Sequence, residues 1–172
     1  GGERALTLTE ALAERVEAIA AVQPDFAVHV GIQVQRATAW RFAVYVASHL
    51  GGERALELSQ GLAERVDAIV TAHPDFIAHS RLHNERAIAW RYATYAASTL
   101  SGERALTLSQ VLAERVDAIA NARSDFASHG GLQRERAFAW QHAAYVASKL
   151  GGARALMLSQ ALAERVEAIA TA

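Results

Sequence analysis

The chain has 172 residues and carries 17 basic against 18 acidic side chains, a formal net charge of −1. Hydrophobic residues make up 52% of it, which excludes a disordered tail, and the near-neutral charge excludes a polybasic module that holds nucleic acid by charge alone. There is no cysteine, hence no disulfide frame, thiolate metal site or cysteine nucleophile, and no apolar run of membrane-spanning length; a soluble, intracellular protein without a cofactor is expected.

Read in chain order, the sequence repeats itself. GGERALTLTEALAERVEAIA at residue 1 returns as GGERALELSQGLAERVDAIV at 51, SGERALTLSQVLAERVDAIA at 101 and GGARALMLSQALAERVEAIA at 151. The repeats are 1–50, 51–100 and 101–150, followed by a half-repeat, 151–172. Such a period predicts one all-α domain over residues 1–172. Tandem α-hairpins of 50 residues would stack as an open right-handed solenoid of seven helices, with 151–172 as the terminal covering helix. A start at a repeat boundary and a stop within a repeat suit an excised or engineered array.

The first helix of the repeat is expected from Glu3 to Val22. Ala5, Leu8, Leu12, Val16, Ile19 and Ala20 fall on one side at 100° per residue, and Glu10, Glu14 and Glu17 on the other. Gly1-Gly2 and its equivalents are read as terminators of the preceding helix, and Pro24 as the stop of the first. Asp25 is the expected N-cap of the second helix, which runs to Ser48 or Leu50. A constant stripe of His29, Ile32, Arg36, Trp40, Ala43, Ala47 and Leu50 marks its packed side, small alanines beside a large tryptophan. Arg4, Arg15 and Arg36 are expected to pair with Glu14 or its equivalents on neighbouring helices.

Comparison of the internal copies shows which columns change. On the second helix these are Gly31, Val34, Thr38, Phe42 and His49, then Arg81, Asn84, Ile88, Tyr92 and Thr99, then Gly131, Arg134, Phe138, His142 and Lys149. Tyr45, Tyr95 and Tyr145 lie along the same side without change. A solvated face does not keep large apolar groups in line. Two readings remain: a flank repacked against neighbouring helices, or a recognition surface along the array. On the second reading, a protein or peptide partner is held by Val34, Thr38, Phe42, Tyr45, Asn84, Ile88, Tyr92, Tyr95, Arg134, Phe138, His142 and Tyr145.

No catalytic constellation is expected. Asp25–His29 recurs as Asp75–His79 and Asp125–His129, and three identical catalytic pairs in one array make less sense than three structural caps. His79 and His83 have the i, i+4 spacing that grips zinc, but no third ligand accompanies them, so no metal is expected. The Gly-Gly pairs lack the strand context of a nucleotide site.

The segment Ala47-Ser48-His49-Leu50-Gly51-Gly52-Glu53-Arg54-Ala55-Leu56, with Gln60 and Leu62 beyond it, resembles the DNA-reading repeat of TAL effectors. The likeness covers roughly twenty residues of each fifty. It implies that His49 and Leu50, Thr99 and Leu100, and Lys149 and Leu150 hold the base-facing pairs, with nucleic acid as the alternative partner. A third expectation is self-association through the last repeat, where Ala153 and Met157 make the helix more apolar than its copies.

Overall fold

The computed structural model describes residues 2–171, and among them there is no strand. Eight helices are present: α1 (Gly2–Ala20), α2 (Val30–Ser48), α3 (Gly52–Thr71), α4 (Pro74–Ile77), α5 (Ser80–Ser98), α6 (Gly102–Ala120), α7 (Gly130–Lys149) and α8 (Gly152–Thr171). Seven are long, as expected; the eighth, α4, is a single turn that corrects the sequence-based count of seven. Its counterparts at Pro24–Ala27 and Ser124–Phe126 are tighter 3₁₀ turns.

These short turns also correct the expected start of the second helix. Pro24 and Pro74 open the turn at its first position, where their missing N–H costs nothing. The chain then extends at His29, His79 and His129, and the long helix begins one residue later. Asp25 is therefore exposed in a turn and does not cap α2; His29 holds that place. The turn is tied to the helix by a glutamine. Gln33 Nε2 donates to the carbonyls of Phe26 (2.8 Å) and Ala27 (3.0 Å), and Gln133 Nε2 donates to that of Phe126 (3.1 Å). Phe76 and Phe126 drop from their turns into the core.

At the other end, the amide of Leu50 closes on the Ala47 carbonyl (3.1 Å) and the chain reverses through Gly51 and Gly52, at φ 84° and 67°. Side-chain-bearing residues avoid that region, so glycine is required there. At the next junction Ser101 replaces the first glycine and takes an extended φ of −125°, leaving Gly102 alone at φ 79°.

The long helices pack in succession. α2, α5 and α7 lie side by side, α3 rests against both α2 and α5, α6 against both α5 and α7, while α1 contacts α2 and α8 contacts α7. Alanines at 37, 43, 47, 87, 93, 97, 139, 143 and 147 are fully buried on the central three helices, letting backbones approach closely around Trp40, Trp90 and Trp140.

This arrangement revises the amphipathic reading of the first helix. α3 and α6 bury two faces, Leu56 and Leu106 on one and Leu62, Ile69, Leu112 and Ile119 on the other, because each lies between two long helices. α1 has one such neighbour. It buries Leu6, Ala13 and Ala20, and leaves Leu12 and Ile19 about three-fifths exposed. A single-stripe reading does not capture a helix with two apolar faces.

Candidate recognition surface

The scaffold under the surface is a set of polar clamps. In the first, Glu17 of α1 accepts from Arg36 Nε (2.8 Å) and from the Trp40 indole (2.9 Å), both on α2. In the second, Asp67 of α3 accepts from Arg86 and from Trp90 (2.9 Å) on α5, and from Arg115 (2.6 Å) on α6, whose guanidinium also stacks 3.8 Å from the Trp90 ring. In the third, Asp117 accepts from Arg136 and from Arg165 (2.6 Å), with Arg165 3.9 Å from the Trp140 ring. The partner of Arg36 is thus Glu17, and the expected Glu14 is not used. Burial works against the charge on Asp67 and Asp117, but the arginine bonds outweigh it and hold both carboxyls below their ordinary range. A second set of ion pairs locks the central helices together: Arg41 to Glu85 (2.6 Å) and Arg91 to Glu135 (2.8 Å).

On the outward side of α2, α5 and α7 the rings make a connected row. Tyr45 stands edge-on to Tyr92 at 5.0 Å and 4.6 Å from His49; His49 lies 4.9 Å from Tyr95, and Tyr95 5.4 Å from His142. Cations sit over Tyr92 of this row and over three rings outside it. Arg41 is 4.2 Å from Phe42, Arg91 is 3.8 Å from Tyr92 and 5.8 Å from Phe138, and Lys149 is 3.8 Å from Tyr145. Two open cavities follow the row. One, about 310 Å³, is lined by Tyr45, His49, Arg91, Tyr92, Tyr95 and His142. Its neighbour, about 360 Å³, is lined by Arg91, Phe138, Gln141, His142 and Tyr145. Burial, then the nearby charge of Arg91, lowers the His142 pKa to about 4, so its ring is neutral at pH 7.

The twelve residues named from sequence divide into three groups. Phe42, Tyr45, Arg134, Phe138 and Tyr145 are exposed; Thr38, Asn84, Ile88, Tyr92, Tyr95 and His142 are half-buried; Val34 is only 2% exposed and belongs to the core. Half-burial of the second group comes from packing between neighbouring helices, so the changing columns are partly helix contacts and partly exposed surface. Arg91 and Gln141 line the cavities and were not singled out. The signal for Arg91 was its position one residue before the changing aromatic, which sets its guanidinium over rings on both its own helix and the next.

The residues of the TAL-like pairs sit differently. His49, Thr99 and Lys149 are exposed, with Thr99 Oγ1 donating to the Ala96 carbonyl at 2.7 Å, whereas Leu50, Leu100 and Leu150 are half-buried against the core. The Asp–His pairs are parts of turns: Arg123 donates to Asp125 (2.9 Å), and His129 Nδ1 accepts from the Leu132 amide (3.3 Å). His79 is exposed and His83 buried, and no group of three or more metal-ligating side chains occurs among the described residues. No helix there is long and apolar enough to cross a membrane. The chain matches no family model, no curated protein and no solved structure.

Proposed function

We propose that the chain is a non-enzymatic binding scaffold in which 50-residue α-hairpins stack as an open, right-handed solenoid. An elongated protein or peptide lies along the outward ridge of α2, α5 and α7. The observation that supports this reading is the row of rings Tyr45, Tyr92, His49, Tyr95 and His142, flanked by the exposed rings of Phe42, Phe138 and Tyr145 with Arg41, Arg91 and Lys149 over them. Rings with arginine are the side chains that dominate binding energy at protein interfaces. Their chemistry suits an extended segment with apolar anchors and carboxylates.

Selection of a displayed peptide library on the immobilised chain tests the reading. Enriched peptides should share apolar and acidic positions, and the combined variant Phe42→Ala, Tyr92→Ala, Phe138→Ala should bind them about 100-fold or more weakly, since truncating a hot spot costs at least about 2 kcal/mol. Its melting temperature should change by a few degrees at most, because two of the three rings are exposed. A collapse of stability in that variant would assign the rings to packing. No peptide enrichment, together with oligonucleotide binding that weakens steeply with salt, would replace the protein partner by nucleic acid.

A further inference from the structure

α1 and α8 are near-copies. Over residues 1–20 and 151–170 they differ only as Glu3/Ala153, Thr7/Met157, Thr9/Ser159 and Glu10/Gln160. Each has two apolar faces and uses one. α1 packs Leu6 and Ala13 on α2 and leaves Leu12 and Ile19 in water; α8 packs Leu162 and Ile169 on α7 and leaves Leu156 and Ala163 in water. The uncovered face of α8 is therefore the face by which α1 holds α2. One further residue makes the match specific. α1 and α8 carry glutamate at 17 and 167, where α3 and α6 carry Asp67 and Asp117. Glu17 receives Arg36 and Trp40 of α2, while Glu167 is exposed.

We propose that α8 of one copy of this chain displaces α1 from α2 of a second copy, so that copies join end to end by exchange of equivalent helices. The exchange replaces the α1–α2 contact with an equivalent one and adds a further contact, α7 of one copy against α2 of the next. That added contact continues the α2–α5 and α5–α7 packing inside a single copy. It covers the α2 wall, Ala39, Phe42, Tyr45 and Val46, of an apolar groove of about 440 Å³ whose other wall passes from Leu12 and Val16 of α1 to Leu162 and Val166 of α8. The polar complement fits as well. Inside one copy, Arg41 meets Glu85 and Arg91 meets Glu135; the remaining members of those two columns are Gln35 and Gln141. The new step sets amide against amide and buries no unpaired charge. Because the two surfaces differ, the contact is heterologous and grows as an open chain. This inference does not rest on the recognition-surface reading, although assembly would cover Phe42 and Tyr45 of that surface; it depends on the faces of α1 and α8, and the variants that test it lie outside the ridge.

The test is sedimentation velocity over a wide range of concentrations on the purified chain, refolded from urea at high concentration so that α1 is free to exchange. Wild type should form a concentration-dependent series of oligomers. Leu156→Glu should weaken assembly about tenfold or more, the equivalent of one lost leucine contact, with helicity and melting temperature of the single copy unchanged. Glu167→Arg, also on an exposed face, should abolish assembly by facing Arg36. Mixing it with Arg36→Glu should restore assembly that neither variant shows alone. A chain that stays monomeric at every concentration overturns the proposal. So does assembly indifferent to Leu156→Glu and Glu167→Arg, or a failure of the mixture to assemble when Arg36→Glu is folded by circular dichroism.

Discussion

His83 occupies the place that Gln33 and Gln133 hold in the other copies, and replacing it with glutamine should stabilise the protein. Gln33 donates two bonds to the preceding turn and accepts one from Arg36; Gln133 donates one and accepts one from Arg136. The buried imidazole makes neither kind of bond in good geometry, although the Ile77 carbonyl lies near enough to favour its charged form slightly. Two or three recovered bonds at about 0.5–1.5 kcal/mol each give about 2–3 kcal/mol. Against this stands the loss of the His83–Phe126 ring contact, at 4.9 Å, which is worth about 0.5–1.5 kcal/mol. The net expectation for His83→Gln is about 1–2 kcal/mol of added stability, or roughly 2–8 °C in melting temperature for a chain of this size. Calorimetry and urea unfolding at pH 7 measure it. The margin should widen in acid: burial, then Arg86, lowers the His83 pKa, so the unfolded chain takes up a proton below about pH 6.5 that the folded chain refuses. Wild-type stability from this group is complete above the unfolded value and is lost as pH falls toward the folded one, a loss the glutamine variant lacks. An unchanged or lowered melting temperature in His83→Gln would refute the reasoning.

His142 obeys the same sign: its folded pKa of about 4 against about 6.5 unfolded predicts up to about 3 kcal/mol lost between those pH values, and His142→Tyr, the residue at Tyr92, should flatten that acid limb in a plot of melting temperature against pH. Asp67→Ala should cost about 3–5 kcal/mol in urea unfolding, because it strands Arg86 beside a buried tryptophan. Asp67→Glu should cost far less, since Glu17 serves Arg36 and Trp40 in the same position. Equal damage from both variants would show that the clamp is not what holds α3 to α5.

Much of the helical order was legible in the 50-residue period, the glycine pairs and the spacing of Trp40, Ala43 and Ala47. The two-faced nature of the first helix was not. Its leucines at 6 and 12 belong to different neighbours, and one helical wheel shows only that both are apolar. The start of the second helix was misplaced because Pro24 and Asp25 carry the same signal for a separate 3₁₀ turn as for a helix start. The period set Phe42, Tyr45 and Phe138 on one stripe with Val34 but left open whether that stripe faced water, and it could not tell the exposed rings from the buried valine. Its burial arises where α2 meets its neighbours, a fact of packing between helices distant in sequence. The Arg91–Glu135 pair, 44 residues apart, was hidden for the same reason.

Each clamp takes residues from three successive long helices, with Arg65 of α3 4.4 Å from the Trp40 ring in the first, so a hairpin cannot complete its own. Trp140 is roofed by Arg165 as Trp40 and Trp90 are by Arg65 and Arg115, which makes α8 the keystone of the last course. Under tension applied to the C-terminus, rupture would begin there, shift Trp140 emission first, and travel inward one hairpin at a time. The molecule would then lengthen under load like an unbuttoning coat, in steps of near-equal length.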